Sequence, residues 1–179
     1  MQEIIEDEVS ISTKGGLKAK SADGDFSFQV GGRIMVDATS GQDDNSALND
    51  MNSGTEFRRA RMFMKGTLNH DWGYKWQMDF ADNNTAMKDA YIQYKPWGVK
   101  LGQFKMPFSL EELTSSKYIT YMERSLPNVF ATGRRVGLGW NTAQDNMTFA
   151  TEHKAIGEGN GDENEEGLGL GARFTYAPM

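Results

Sequence analysis

The chain has no cysteine, which removes disulfide frameworks, thiolate metal sites and cysteine nucleophiles at once. Histidine is scarce too: His70 and His153 lie far apart without cysteine partners, and neither is assigned to a metal. No continuous apolar run approaches the ~20 residues of a membrane helix. Apolar residues make up only 38% of the sequence, below the roughly 45–50% typical of soluble domains, so a large dry helical core is excluded. Overall positive charge is also lacking. The net charge of −6 argues against a nucleic-acid partner. The opening "MQEIIEDEVS" has neither the basic start nor the apolar centre of an export signal, so an exported protein would need a leader ahead of it.

What is present is glycine, 20 residues of it, and alternation. After the polar stretch "STKGGLKAKSADGD", Phe26, Phe28, Val30, Gly32, Ile34 and Val36 fall on one face of a period-2 pattern. Ser27, Gln29, Gly31, Arg33, Met35 and Asp37 fall on the other. The same division runs through "FRRARMFMKGTL", "YKWQMDFA", "MKDAYIQYK", "VKLGQFKM", "RRVGLGW", "NMTFATEHK" and "LGLGARFTYA". This predicts about eight strands. Short connections ("NHDWG", "PWG", "NTAQD") alternate with long ones at 38–54, 107–133 and 155–167. Tight turns permit only antiparallel neighbours, so the expected fold is all-β, an antiparallel up-and-down sheet or barrel.

Two barrels fit alternation: a soluble one with an apolar interior, and a transmembrane one with an apolar exterior. The polar parity decides for the second. Arg33, Arg59, Arg61, Lys65, Lys75 and Arg173 share it with few carboxylates, which suits a water-filled, anion-attracting lumen better than a mixed-charge surface in bulk water. Trp72, Trp76, Trp97 and Trp140 all fall at or beside the short turns, as an interfacial girdle would. A soluble or small outer-membrane barrel binding an anionic ligand ranks second, and a barrel enzyme third, since no nucleophile elbow or Ser–His–Asp constellation can be argued.

The stretch 107–133 is too long to be idle, and in a pore it can narrow the lumen. Ser109 followed by Glu112 has the form of a capping box, Glu111 adds charge to a first turn, and Arg124 precedes Pro127. A helix from about Leu110 to Arg124 is expected. The acidic loop "GEGNGDENEEG" is read as solvated rather than calcium-binding, because an EF-hand register begun at Asp162 puts Arg173 where a glutamate is needed. "GLGLG" follows strand parity and lacks a nucleotide fingerprint's spacing.

The blocks "FRRARMFMKGTL", "YKWQMDFA", "KDAYIQY", "LGQFKMPFSLEELTSSKYITYMERS" and "ATGRRVGLGW" resemble the phosphate-selective porins of bacterial outer membranes. The resemblance implies a Gram-negative outer-membrane channel for phosphate or polyphosphate: a homotrimer of sixteen-stranded barrels, without cofactor, each carrying an arginine ladder and an inward-folded third loop. On matching positions Arg33, Arg58 and Arg59 resemble ladder residues, Lys117 the constriction lysine and Asp89 a filter carboxylate that would accept a hydrogen bond from a protonated phosphate oxygen. It further implies that residues 1–24 are a periplasmic lead and 25–179 a partial barrel, the N-terminal half of a longer porin. Plain alternation puts Arg59 and Arg61 on the lumen side and Arg58 opposite; the resemblance makes Arg58 and Arg59 adjacent lumen residues, which requires a local bulge or a position above the lipid boundary.

Overall fold

The computed structural model describes residues 9–41, 53–155 and 168–178. Ten strands form one antiparallel sheet in strict sequence order. They are β1 (Val9–Ser12), β2 (Leu17–Ser21), β3 (Ser27–Thr39), β4 (Gly54–Leu68), β5 (Trp72–Asp79), β6 (Ala86–Tyr94), β7 (Val99–Lys105), β8 (Arg134–Gln144), β9 (Met147–Ala155) and β10 (Leu168–Tyr176). Every neighbour pair is a meander step, as the tight turns require. The sheet is open, with β1 and β10 at its edges.

The eight strands expected from alternation are all present, and two more precede them. β1 and β2 lie within the segment expected as a lead, and both are largely exposed. Alternation misses them because "VSIS" and "LKAKS" bury no face. They are strands because β2 completes hydrogen bonds along the lower part of β3, pairing Leu17 with Val30 and Lys20 with Ser27. The loops expected at 38–54 and 155–167, and the acidic "GEGNGDENEEG" within the latter, fall largely or wholly outside the described residues.

The two faces are partitioned the reverse of a soluble domain. Among the described residues Phe104 is the only buried large hydrophobic, whereas the fully buried polar residues are Arg59, Asp79, Asp89, Ser116 and Glu152. Ile34, Phe57, Met62, Leu101, Leu138 and Leu170 stand exposed on the outer face, Ile34 at 70% and Leu170 at 77%. A contiguous apolar exterior of this extent suits lipid rather than water. β3 and β4, at 13 and 15 residues, exceed the roughly 9–11 that a tilted strand needs to cross a bilayer. No helix among the described residues is long and apolar enough to span a membrane, and the only α-helix is one turn, α1 (Leu110–Leu113).

At the short-turn end the aromatics gather. Trp72 and Tyr94 have ring centroids 4.9 Å apart, Tyr94 and Trp97 meet edge-on at 5.3 Å, and Trp140 meets Phe149 at 5.6 Å. Amphipathic rings at one rim are what an interfacial belt requires.

Candidate functional site

The site is built on the inner face of β3–β8, and its first component is a bulge. β3 and β4 pair Met35 with Arg59 and then Val36 with Phe57, so Arg58 is the extra residue. A bulge turns two successive side chains to one side: Arg58 and Arg59 both face inward, while Phe57 is displaced to the exposed outer face. Arg61, two residues on, keeps the same side. The conflict between alternation and family spacing is thereby resolved in favour of all three arginines. A second bulge on β6 repeats the device. Gln77 pairs with Asp89 and Met78 with Met87, leaving Lys88 as the extra residue. Its strongest charged neighbours are Arg61, Asp79 and Arg134, all inner-face groups.

Arg59 and Arg61 line an open cleft of about 560 Å³ between the sheet and the loop 106–133. Ten cationic side chains border it, Arg33, Arg59, Arg61, Lys65, Lys75, Lys100, Lys105, Lys117, Arg124 and Arg134, against two carboxylates, Asp89 and Glu112. Cross-strand register puts Arg33 directly opposite Arg61, a like-charge pair that is destabilising by itself. Asp79, opposite Arg61 on the other side, offsets it: its Oδ2 accepts from Arg61 Nε at 2.6 Å and its Oδ1 from the Ala60 N–H at 3.0 Å. Two rows lower, past Phe63 and Gln77, Lys65 and Lys75 are opposite each other.

Asp89 is only 5% exposed, and both its oxygens are engaged. Lys75 Nζ donates to Oδ2 at 2.5 Å and Arg134 Nε to Oδ1 at 2.6 Å. The residue expected as a filter carboxylate is therefore in the cleft, but as a bridge between two cations. Arg59 has no carboxylate at ion-pair distance among the described residues; its one side-chain contact there is from Nη1 to the Met35 sulfur at 3.8 Å. Lys100 lies over the rings of Tyr91 and Phe104, at 4.7 and 5.0 Å, an arrangement that holds an ammonium without neutralising it. Arg59 thus faces the cleft without a carboxylate at ion-pair distance among the described residues, while Lys100 has Glu152 and Asp89 as its opposite charges.

The loop enters over a floor of glycines. A side chain at Gly139 would strike the Phe104 ring, and one at Gly171 would strike Met106, so the "GLG" parity on β8 and β10 makes room for the segment where the loop leaves β7. The expected helix 110–124 is cut to α1. Ser109 Oγ accepts from Glu112 N–H at 3.2 Å, which is half a capping box, but the Glu112 carboxylate turns instead to Lys105 and Asn128. Thr114, Ser115 and Ser116 then end the helix, their hydroxyls competing for local backbone groups. Thr114 Oγ1 donates to Leu110 O, and Tyr118 N–H closes a turn onto Ser115 O. Lys117, exposed at that turn, faces the cleft from above.

Burial pushes the Glu112 carboxyl up, but hydrogen bonds from Lys105 and Asn128 and the nearby Arg124 charge outweigh it and hold it below the ordinary glutamate range. Glu123 is held low chiefly by its hydrogen bond from Arg58.

The structure therefore brings Arg33, Arg59, Arg61, Asp89 and Lys117 to one cleft, whereas Arg58 lies outside its lining in an ion pair with Glu123 of the loop. Sequence reasoning did not single out Asp79, Lys105, Glu112, Arg124 or Arg134 as partners. For Asp79 the signal was its polar parity on β5; the others sit at strand ends or in the loop, where parity gives no guidance.

The model of a family described as phosphate-selective porin O and P matches residues 28–179. Porin O of Pseudomonas aeruginosa is 32% identical over 149 residues, which are 78% of this chain and 32% of that relative. An uncharacterized protein of Caulobacter vibrioides is 33% identical over 184 residues, 94% of this chain and 36% of that relative. The chain spans about a third of the length of these curated relatives. With residues 28–179 matched, the chain belongs to the phosphate-selective porin O and P family.

Proposed function

We propose that this chain forms part of a Gram-negative outer-membrane channel through which phosphate or polyphosphate anions diffuse, and that it is not an enzyme. The observation that carries the reading is the cleft: ten cations against two carboxylates, on the water-facing side of a sheet whose other side is apolar. Guanidinium groups add planar, often bidentate geometry to charge, which a phosphate oxygen pair exploits and chloride cannot. In this reading Arg59 and the facing pair Arg33 and Arg61 are successive moderate sites along the inner wall, and Lys117 is a point charge on the loop above them. Several moderate sites in series favour release as well as entry. Arg58 serves the wall by fixing the loop, and Asp89 by holding Lys75 and Arg134 in place.

An open ten-stranded sheet leaves ladder groups unpaired at its edges, and in lipid each of these must find a partner. Closure with further strands into the sixteen-stranded barrel that the family resemblance implies, and assembly as a homotrimer, completes the reading. A barrel of the strands present alone would have its interior filled by side chains and could not also hold the loop 106–133. The test is planar-bilayer conductance of the full-length protein in phosphate and in chloride. Anion-selective pores with a saturable phosphate current are expected; no pores, or cation-selective ones, would overturn it.

A further inference from the structure

The loop over the cleft is tied twice to the wall and once to itself. Its wall anchors are Lys105 on β7, whose Nζ is 2.9 Å from Glu112 Oε1, and Arg58 on β4, paired with Glu123. Strands three apart in a sheet are separated by roughly 14 Å, so the loop bridges that width of the inner face.

Its internal tie is a neck joining 109–114 to 123–128. The Glu111 carboxylate accepts from both the N–H and the hydroxyl of Ser125, at 2.6 and 2.5 Å. Arg124 donates to Glu111 O at 2.9 Å and to Thr114 O at 2.8 Å, so this one side chain satisfies two backbone carbonyls at α1. Glu112 joins neck and wall: its Oε2 takes Asn128 Nδ2 at 3.2 Å and lies 3.7 Å from Arg124 Nε, while Oε1 holds Lys105.

Between the two sides of the neck lies the segment 115–123 with Lys117 near its start. The turn closed by Tyr118 N–H on Ser115 O is its one internal backbone bond outside the neck. A free segment of that length can stretch to about 30 Å, several times the distance between neighbouring wall sites. A lysine on it acts at one point only if the neck is shut.

Resting on the channel reading above, we propose that Glu112 is the positioning residue for Lys117: by clamping both sides of the neck to Lys105 it fixes where the loop's positive charge stands over the arginine wall. Glu112 acts through Lys117 and need not touch the anion.

The test is a double-mutant cycle in the full-length protein, with Lys117→Gln, Glu112→Gln and the double variant, read as the phosphate-over-chloride permeability ratio in bilayers. Lys117→Gln is expected to lower the ratio at least threefold in the wild-type background and by less than half as much, on a logarithmic scale, beside Glu112→Gln. An equal loss in both backgrounds overturns the proposal, since a residue with a merely structural or charge-balancing role leaves the Lys117 effect intact. The absence of cysteine allows a second readout: a spin label on Tyr121→Cys should be restrained in the wild-type loop and become mobile with Glu112→Gln, and unchanged mobility counts against the neck. If Glu112→Gln does not assemble, Asn128→Ala replaces it in both arms, because it removes the bond from Glu112 Oε2 across the neck while leaving every charge in place. A wild-type protein without anion-selective pores defeats the channel reading, and the spin-label arm then still decides the neck.

Discussion

Asp89→Asn offers a sharp test of how the cleft handles charge, because the substitution removes one unit of negative charge with almost no change in shape. In the structure Asp89 holds Lys75 at 2.5 Å and Arg134 at 2.6 Å, both from the inner wall. An anion hydrogen-bonded to the far side of either cation stands roughly 6 Å from the carboxylate. Their repulsion per unit charge is about 0.7 kcal/mol at the dielectric of water and about 2.8 kcal/mol at an effective value of 20. The carboxylate is buried while the cleft is open to water, so the lower figure is a floor, and removing the carboxylate should tighten binding at least about threefold for a singly charged phosphate and at least about tenfold for a doubly charged one. The assay is single-channel current against phosphate concentration. Half-saturation should fall by those factors, and the maximal current should fall with it, because an ion held more tightly leaves more slowly. An unchanged or raised half-saturation concentration would refute the reasoning, and would return Asp89 to the role of a direct hydrogen-bond acceptor for protonated phosphate.

Arg59→Gln should weaken half-saturation by roughly tenfold, the scale of one charged hydrogen bond, whereas Arg58→Gln should cost much less in binding, since its charge is already met by Glu123; equal effects in the same current assay would contradict the division of roles. Leu138→Arg on the exposed outer face should reduce membrane assembly, with a cost of about 2–4 kcal/mol if that position lies at the bilayer midplane and less toward the interfaces; full assembly in detergent-extracted membranes would argue that this face meets water. Glu112 has its proton affinity lowered in the folded loop, so its contribution is fully present above the ordinary glutamate range near 4.3 and is lost as pH falls through the lower folded value. Loop mobility from the Tyr121→Cys label should therefore stay flat from neutral pH down to about pH 4 and rise only below it. Gly102→Ala should destabilise the assembled protein by about 1–3 kcal/mol, because its φ is +123° and a side chain there would lie 2.3 Å from Ala90 O; heat-modifiable gel migration reports the loss.

How much of this was legible in the sequence depends on which force sets each element. Alternation located β3–β10 because one face of each must differ from the other, and that difference is written residue by residue. It passed over β1 and β2, whose pairing, β1 with β2 and β2 with β3, comes from backbone hydrogen bonds that leave no side-chain pattern. The capping signal at Ser109 was sound, yet it fixes only a beginning. Thr114–Ser116 ended the helix early, and Glu112 was drawn away by Lys105 and Arg124, partners that sequence spacing cannot reveal. "GLGLG" was rightly refused a nucleotide role, but that its last glycine leaves room for Met106 could only be seen once β10 lay beneath the loop.

The bulges show why charge on this face had to be read in three dimensions. A regular strand gives the inner face every second residue, so the number of cations one strand can present is capped by its length. At Arg58 and at Lys88 the extra residue lifts that cap locally and adds a second basic side chain beside Arg59 and Asp89. Such crowding raises like-charge repulsion, and the structure meets it with carboxylates placed to hold rather than to cancel: Asp79 on Arg61, Asp89 between Lys75 and Arg134, Glu123 on Arg58. Arg59 stays free of such a partner among the described residues, beside the bulge that concentrates the charge. On the channel reading, cations held by carboxylates keep fixed positions in the wall and can still turn a free N–H to an anion, while Arg59, without such a partner among the described residues, offers its whole guanidinium.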